Sequence, residues 1–334
     1  MLLTLTTALL FAAPPTVQDQ SAMQATFARF FRAINTCNSA AARRETTEGY
    51  SRQVVGLPAA LLDRLAGTSC PQPADASEFA VLARSLTLIN PDTAWADGFF
   101  RTTQVASQRA GRVYVLFVRQ ANTWKIGAVR LAPVPLEPPY HAIPSGASPS
   151  KPHSYGWETI DATHVVDLLG TPVAAGWTLD GGTFQSLRGA YRDIRTTNTY
   201  RNFELRFEWK VSQAANSGIK YRLFYFFDDP DKGSATTGYE YQIVDNEGDP
   251  GAKRNAVERA ASLYNQLAAQ VPPRPAGEWN QGAIIVRGNH VEHWLNDRKA
   301  LELECESAPL EGPIVFQHHG GGAWLRNIRI RRLD

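Results

Sequence analysis

Hydrophobic and polar positions divide this chain into a helix-led first part and a strand-rich second part. Over residues 21–35, Met23, Phe27, Phe30, Phe31 and Ile34 recur at helical spacing, and the polar run from Asn35 to Ser39 ends the pattern. Pro58 precedes a second candidate helix over residues 59–65, and residues 77–86 are readable as a short helix or a strand. The period then changes to two. Residues 94–103, 112–120 and 123–132 read as successive antiparallel strands, the last pair joined at Ala121-Asn122. Helices followed by a meander of strands describe an α+β domain.

The second part alternates more cleanly. Phe203, Leu205, Phe207, Trp209 and Val211 oppose Glu204, Arg206, Glu208 and Lys210, the pattern of a strand with one buried face. Residues 219–227 follow with Lys220 and Arg222 at even positions. In residues 238–245, Tyr239, Tyr241 and Ile243 share one face, Glu240 and Gln242 share the other, and Asp245 stands at the exit. Residues 283–287 and 291–295 flank a Gly288-Asn289 hairpin turn, and a last strand covers residues 324–332. One helix is expected over residues 253–271, where Val257, Ala260, Ala261, Tyr264, Leu267, Ala268 and Val271 share a face before Pro272-Pro273. Many strands and one helix predict two packed antiparallel sheets, a sandwich or jelly roll. Between the parts, prolines 133, 135, 138, 139, 144, 149 and 152 make residues 134–156 an extended linker.

Composition narrows the function. A chain of 334 residues with 34 Lys plus Arg against 32 Asp plus Glu, and a net charge of +2, suits two domains and argues against nucleic acid as a partner. Abundant aromatic residues suit sheets and carbohydrate ligands alike. The apolar run at residues 2–13 has signal-peptide length, although no Lys or Arg precedes it, and implies export to the periplasm or medium. It is too short to span a bilayer. Among Cys37, Cys70 and Cys305, a Cys37–Cys70 disulfide is expected, with three buried thiols as the alternative.

Phe30-Phe31 with Ala33 and Asn35, and Trp124-Lys125-Ile126, resemble the cone-shaped nuclear-transport-factor and SnoaL-like superfamily. That resemblance implies an accessory or oligomerising domain over residues 21–133. Residues 157–333 resemble the 3-keto-disaccharide hydrolase domain family, a concanavalin-like jelly roll. The matching pieces run in order: Gly176-Trp177; Asn202-Phe203-Glu204-Leu205; Asn216-Ser217-Gly218-Ile219 with Arg222; Tyr239-Glu240 with Gln242 and Asp245; Gly277-Glu278-Trp279-Asn280; His293-Trp294-Leu295-Asn296; and Gln317 with His319-Gly320. Departures are Asp297 in the Asn-Gly turn, Ala261 upstream of Tyr264, and the extra His318.

The resemblance implies cleavage of glycosides already oxidised to a ketone at C3. Such a site needs a base for the C2 proton, a stabiliser for the enolate and an acid for the leaving group. Glu240, Asp245, Arg222 and His319 are the catalytic candidates; Lys220, Gln242, Tyr264, Trp279, Asn280, Asn296 and Gln317 are the substrate-binding ones. The resemblance fixes no cofactor, and a divalent metal could stabilise the enolate. Each residue has a plainer reading. Glu240 could pair with Lys220 or Arg222, Asp245 could cap a turn, and Trp279 with Asn280 could plug the fold. His318 and His319 are adjacent on a strand, so only one can face a given site, and His293 fits a core histidine. A retaining glycosidase of laminarinase type and a lectin-like module without turnover are the rival functions.

Overall fold

The computed structural model describes residues 16–54, 79–102, 108–144, 156–173, 176–187, 189, 191–304 and 310–333. The apolar run at 2–13, the candidate helix at 59–65 and Cys70 lie outside the described residues; Cys37 is disulfide-bonded. The fold is mainly β. Helix α1 (Val17–Asn35) starts at Thr16, whose Oγ1 accepts from the Asp19 N–H, and it buries the apolar stripe anticipated above. A short α2 (Ser39–Arg44) follows. The first domain continues as β1 (Thr46–Val54), β2 (Phe79–Asn90), β3 (Thr93–Thr102), β4 (Ala110–Gln120) and β5 (Thr123–Pro133), in the sheet order β1-β5-β4-β3-β2. The ambiguous stretch near residue 80 is therefore a strand. Asn35 anchors it by exchanging hydrogen bonds, each 2.9 Å, with the Phe79 backbone.

Strand β2 is buried on both faces at its start. Phe79, Val81 and Ala83 pack under α1, whereas Ala80 and Leu82 join the core of the second domain. Double burial accounts for the unbroken apolar run from Phe79 to Ala83. Arg101 of β3 crosses the same interface, donating to Leu223 O at 2.7 Å and Glu311 O at 2.9 Å.

The second domain comprises β6 (Tyr140–His141), β7 (Glu158–Thr159), β8 (Val165–Asp167), β9 (Trp177–Asp180), β10 (Thr183–Ser186), β11 (Ile194–Thr196), β12 (Phe203–Val211), β13 (Asn216–Asp229), β14 (Gly233–Val244), β15 (Asn280–Arg287), β16 (His290–Leu295), β17 (Arg298–Glu304), β18 (Val315–Phe316) and β19 (Ala323–Arg332). They form two sheets. One runs β17-β16-β15-β12-β19-β10-β9 with β7 beside β19; the other runs β14-β13-β18-β11-β8 with β6 beside β13. Their inner faces meet through Phe207, Tyr241, Tyr221, Phe203, Phe184 and Phe316, all buried. The linker is partly structured, because its Tyr140 and His141 add β6 to β13. No helix among the described residues is long and apolar enough to cross a membrane.

The helix expected over residues 253–271 does not form. In its place are α3 (Pro250–Arg254), capped by Asp249, one 3-10 turn (Ala256–Glu258), and an irregular strap. Ala261 and Asn265 take positive φ angles of 63° and 59°, which interrupt any helix. The strap hydrogen-bonds to the free edge of β14: Ala261 N to Gln242 O, Gln242 N to Ser262 O, and Tyr264 N to Glu240 O. Its apolar residues are buried because they cover an exposed sheet edge, not because they form a helical face.

Candidate active site

Strands β13 and β14 present alternate residues to the outer face of the second sheet. Tyr239, Tyr241 and Ile243 point into the sandwich, which leaves Glu240 and Gln242 outward, as their spacing requires. Lys220 is directly opposite Glu240 in the antiparallel register, and Gly218 is opposite Gln242. Lys220, Glu240 and Gln242 line a pocket of about 140 Å3 with Asn216, Thr236, Tyr264, Gln266, Gln317 and His319. Leu82, Arg84 and Phe99 of the first domain close it from above.

Charge in the pocket is arranged around Lys220. Its Nζ lies 3.9 Å from Glu240 Oε2 and donates to Thr236 O at 3.2 Å. Behind it is Asp193, buried, whose Oδ1 accepts from His318 N at 2.9 Å and whose Oδ2 accepts from Thr236 Oγ1 at 3.4 Å. Burial raises the Glu240 carboxyl above the ordinary carboxylate range, opposed by Lys220. Burial raises Asp193 in the same way, again against the pull of Lys220. Oriented with its nitrogen toward Glu240, the Gln242 carboxamide donates to Glu240 Oε1 at 3.3 Å and to Ser217 O at 3.1 Å. Among the described residues Gln317 Oε1 has no hydrogen-bond partner, which leaves a buried acceptor available to a ligand hydroxyl.

Six of the sequence candidates come together here: Glu240, Lys220, Gln242, Tyr264, Gln317 and His319. The adjacent His318 faces the other way, with its ring against Trp177 and burial lowering its pKa. His293 is a core histidine bonded to Tyr221 Oη and Ala261 O.

Arg222 is a correction. Pairing between β13 and β14 shifts between Tyr221 and Tyr225, and Arg222 has a φ of 50°, so parity with Lys220 is lost. Its buried guanidinium turns to Gly288 O on the opposite sheet. Asp245 also leaves the pocket. Its carboxylate accepts from Ala214 N at 2.8 Å and Glu247 N at 3.1 Å, which is turn capping. Trp279, Asn280 and Asn296 belong to the other sheet. Asn296 Nδ2 donates to Asn280 Oδ1, and Trp279 takes Arg326 and Lys210 onto its ring. Three contributors escaped sequence reasoning. Asp193 is a lone acid before a short strand, Thr236 looks like ordinary strand filling, and Arg84 comes from the other domain.

A larger groove of about 740 Å3 lies on the outer face of the other sheet. Glu208 in its lining is paired with Arg326, and Glu204 on the same strand is paired with Arg206 and Arg331. His290, Glu292 and Glu302 converge nearby closely enough to hold a metal ion, but Lys299 and Glu304 already pair with them. In the pocket itself, Glu240 and His319 with the neighbouring carboxamides are the groups able to bind a cation.

Residues 154–331 match the 3-keto-alpha-glucoside-1,2-lyase-like domain, and the chain belongs to that family. A 3-keto-disaccharide hydrolase of Bacteroides thetaiotaomicron is 30% identical over 209 residues, 48% of this chain and 72% of the relative. A structure assigned as a glycosyl hydrolase of Parabacteroides distasonis aligns with a TM-score of 0.47 at 25% identity, over 54% of this chain and 94% of the other. The first domain is similar to an NTF2-like protein with a cystatin-like fold from Novosphingobium aromaticivorans. That alignment has a TM-score of 0.29 at 16% identity and covers 36% of this chain and 86% of the other.

Proposed function

We propose that this protein cleaves 3-keto-glycosides in the pocket around Glu240, by elimination across C1–C2 followed by addition of water. The observation that carries the reading is Glu240 beside Lys220, both largely buried, in a pocket whose other polar lining is carboxamides, hydroxyls, the His319 ring and Arg84. A 3-keto group acidifies the C2 proton. In this scheme the Glu240 carboxylate takes that proton, and the C2–H electrons form the C2–C3 enolate, whose oxygen Lys220 stabilises. The enolate then re-forms the ketone and expels the C1 substituent, to which His319 at the rim delivers a proton. Water adds across the resulting double bond and returns the hydrogen to C2, for net hydrolysis. Raising the Glu240 pKa makes its carboxylate a stronger base than an exposed glutamate.

A retaining glycosidase needs two carboxylates about 5–5.5 Å apart flanking the sugar. Glu240 is the single carboxylate among the described residues lining the pocket, which favours the elimination chemistry. The disulfide at Cys37 supports an exported protein, since cytosolic thiols are kept reduced.

The test is incubation of the pure protein with a 3-keto-disaccharide in heavy water, with and without added divalent metal. Sugar release with deuterium at C2 of the product is expected. Absence of release under both conditions overturns the reading, and release without C2 deuterium overturns the elimination route.

A further inference from the structure

The first domain is docked on the pocket through its own core residues. Leu82 and Phe99 are buried in the second domain's hydrophobic core and line the pocket as well. Phe99 is 6.2 Å from the Phe224 ring centroid and 5.9 Å from that of Tyr225. A buried contact of this kind, fixed by the Arg101 hydrogen bonds across the interface, holds β2 at the pocket mouth.

Strand β2 carries a bulge at that point. Ala83 pairs with Gly98 and Ser85 pairs with Asp97, so Arg84 is the extra residue without a partner on β3. Gly98 permits the irregularity, since a β-carbon there would fall 1.8 Å from Leu82 O. Bulges redirect a side chain out of strict alternation. Arg84 accordingly joins Glu240, Lys220 and Tyr264 in the pocket lining. Its guanidinium carbon is 5.8 Å from the Phe99 ring centroid and 5.9 Å from that of Tyr264, one ring from each domain.

The neighbouring Arg112 shows what an ordinary structural arginine does here. It stacks on the same Phe99 ring at 4.8 Å and has Asp97 as its counter-ion. Among the described residues Arg84 makes no ion pair, and its charge acts on Glu240 from across the domain interface. A half-buried guanidinium held by two aromatic rings, with its donors unused, is preorganised for acceptor oxygens.

We propose that the pocket is a composite of both domains, and that Arg84 is a substrate-contacting residue that selects a single terminal sugar unit by binding its oxygens. This rests on the reading of the pocket as the 3-keto-glycoside site. With β2 over it, the cavity is well below the about 300–1,000 Å3 typical of drug-sized sites, so it takes one ring and excludes the interior of a polysaccharide.

The experiment measures kcat and KM on p-nitrophenyl 3-keto-α-glucoside for the full-length wild type, R84M and R84K, with thermal midpoints alongside. Arg84 is not in the hydrophobic core, so both variants should melt close to the wild type. R84M should lose about 10- to 100-fold in kcat/KM, the size of one charge-assisted hydrogen bond, mainly through KM. R84K should recover part of that loss, because it restores the charge without the planar fork. An active wild type with unchanged kcat/KM in R84M overturns the proposal and leaves the site reading intact. A wild type without turnover overturns the site reading and, with it, this proposal.

Discussion

Gly218 lies directly under Glu240: a β-carbon at residue 218 would come within 2.3 Å of Glu240 Oε1 and 3.0 Å of its Cγ and Cδ. The glycine in Asn216-Ser217-Gly218-Ile219 therefore exists for clearance, since its own φ is not in the left-handed region. Gly218→Ala should displace the carboxylate by about 1 Å, which is enough to cost on the order of 100-fold in kcat/KM. Turnover measured beside a thermal melt checks this; an alanine variant with wild-type turnover would show that Glu240 is not the positioned base.

Glu240 itself links activity to stability with a definite sign. Its folded pKa is raised, so the stability associated with the neutral carboxyl is present below the unfolded value and is lost as pH rises through the folded value. Glu240→Gln removes that ionisation. Relative to the wild type, the variant should gain stability between pH 4 and pH 7 in urea unfolding, while its turnover falls about 10²- to 10⁴-fold. The wild-type kcat/KM should also show an acid limb above the ordinary glutamate value of about 4.3. A limb at or below that value contradicts the assigned base.

Asp245 provides a contrast, because its carboxylate is occupied by backbone N–H groups of Ala214 and Glu247. Asp245→Ala strands both donors and should cost about 1–3 kcal/mol of stability. Its kcat/KM, measured well below the melting temperature, should stay near the wild-type value. Lost turnover at unchanged stability would return Asp245 to the catalytic machinery.

What was legible in the sequence follows from what period two can encode. The β12 alternation and the Glu240/Gln242 face depend on pleat alone and were readable. Arg222 was misread because a bulge inside β13 resets the parity that Lys220 establishes two residues earlier. The strap after Arg254 was misread because Ala260, Ala261, Leu263 and Val271 carry the composition of a helix while covering an edge strand. Arg84 was out of reach for a different reason: its role depends on one domain docking on another. The available hint was the apolar run from Phe79 to Ala83, which is longer than one buried face needs.

His293 connects that strap to the core and makes its attachment sensitive to acid. Its Nδ1 meets a carbonyl, Ala261 O, at 2.9 Å, so Nδ1 carries the proton, and Nε2 accepts from Tyr221 Oη at 2.8 Å. Full burial pushes its pKa down to about 4. A depressed histidine contributes stability that is present above the unfolded value near 6.5 and is lost as pH falls toward the folded value. The loss between pH 7 and pH 4 is on the order of 3 kcal/mol, opposite in sign to the Glu240 effect. The difference between wild type and His293→Gln isolates it: the variant should be less stable at pH 7, where its hydrogen bonds are imperfect, and the gap should narrow by pH 4.5. Amide exchange at Ala261 and Tyr264 should quicken over the same range in the wild type, because protonation sets an N–H on Nε2 against the Tyr221 hydroxyl proton and loosens the strap that holds Tyr264 beside Glu240. A gap that stays constant with pH means that His293 does not titrate between the folded and unfolded states, and its bond to Ala261 O then gives the strap no acid sensitivity.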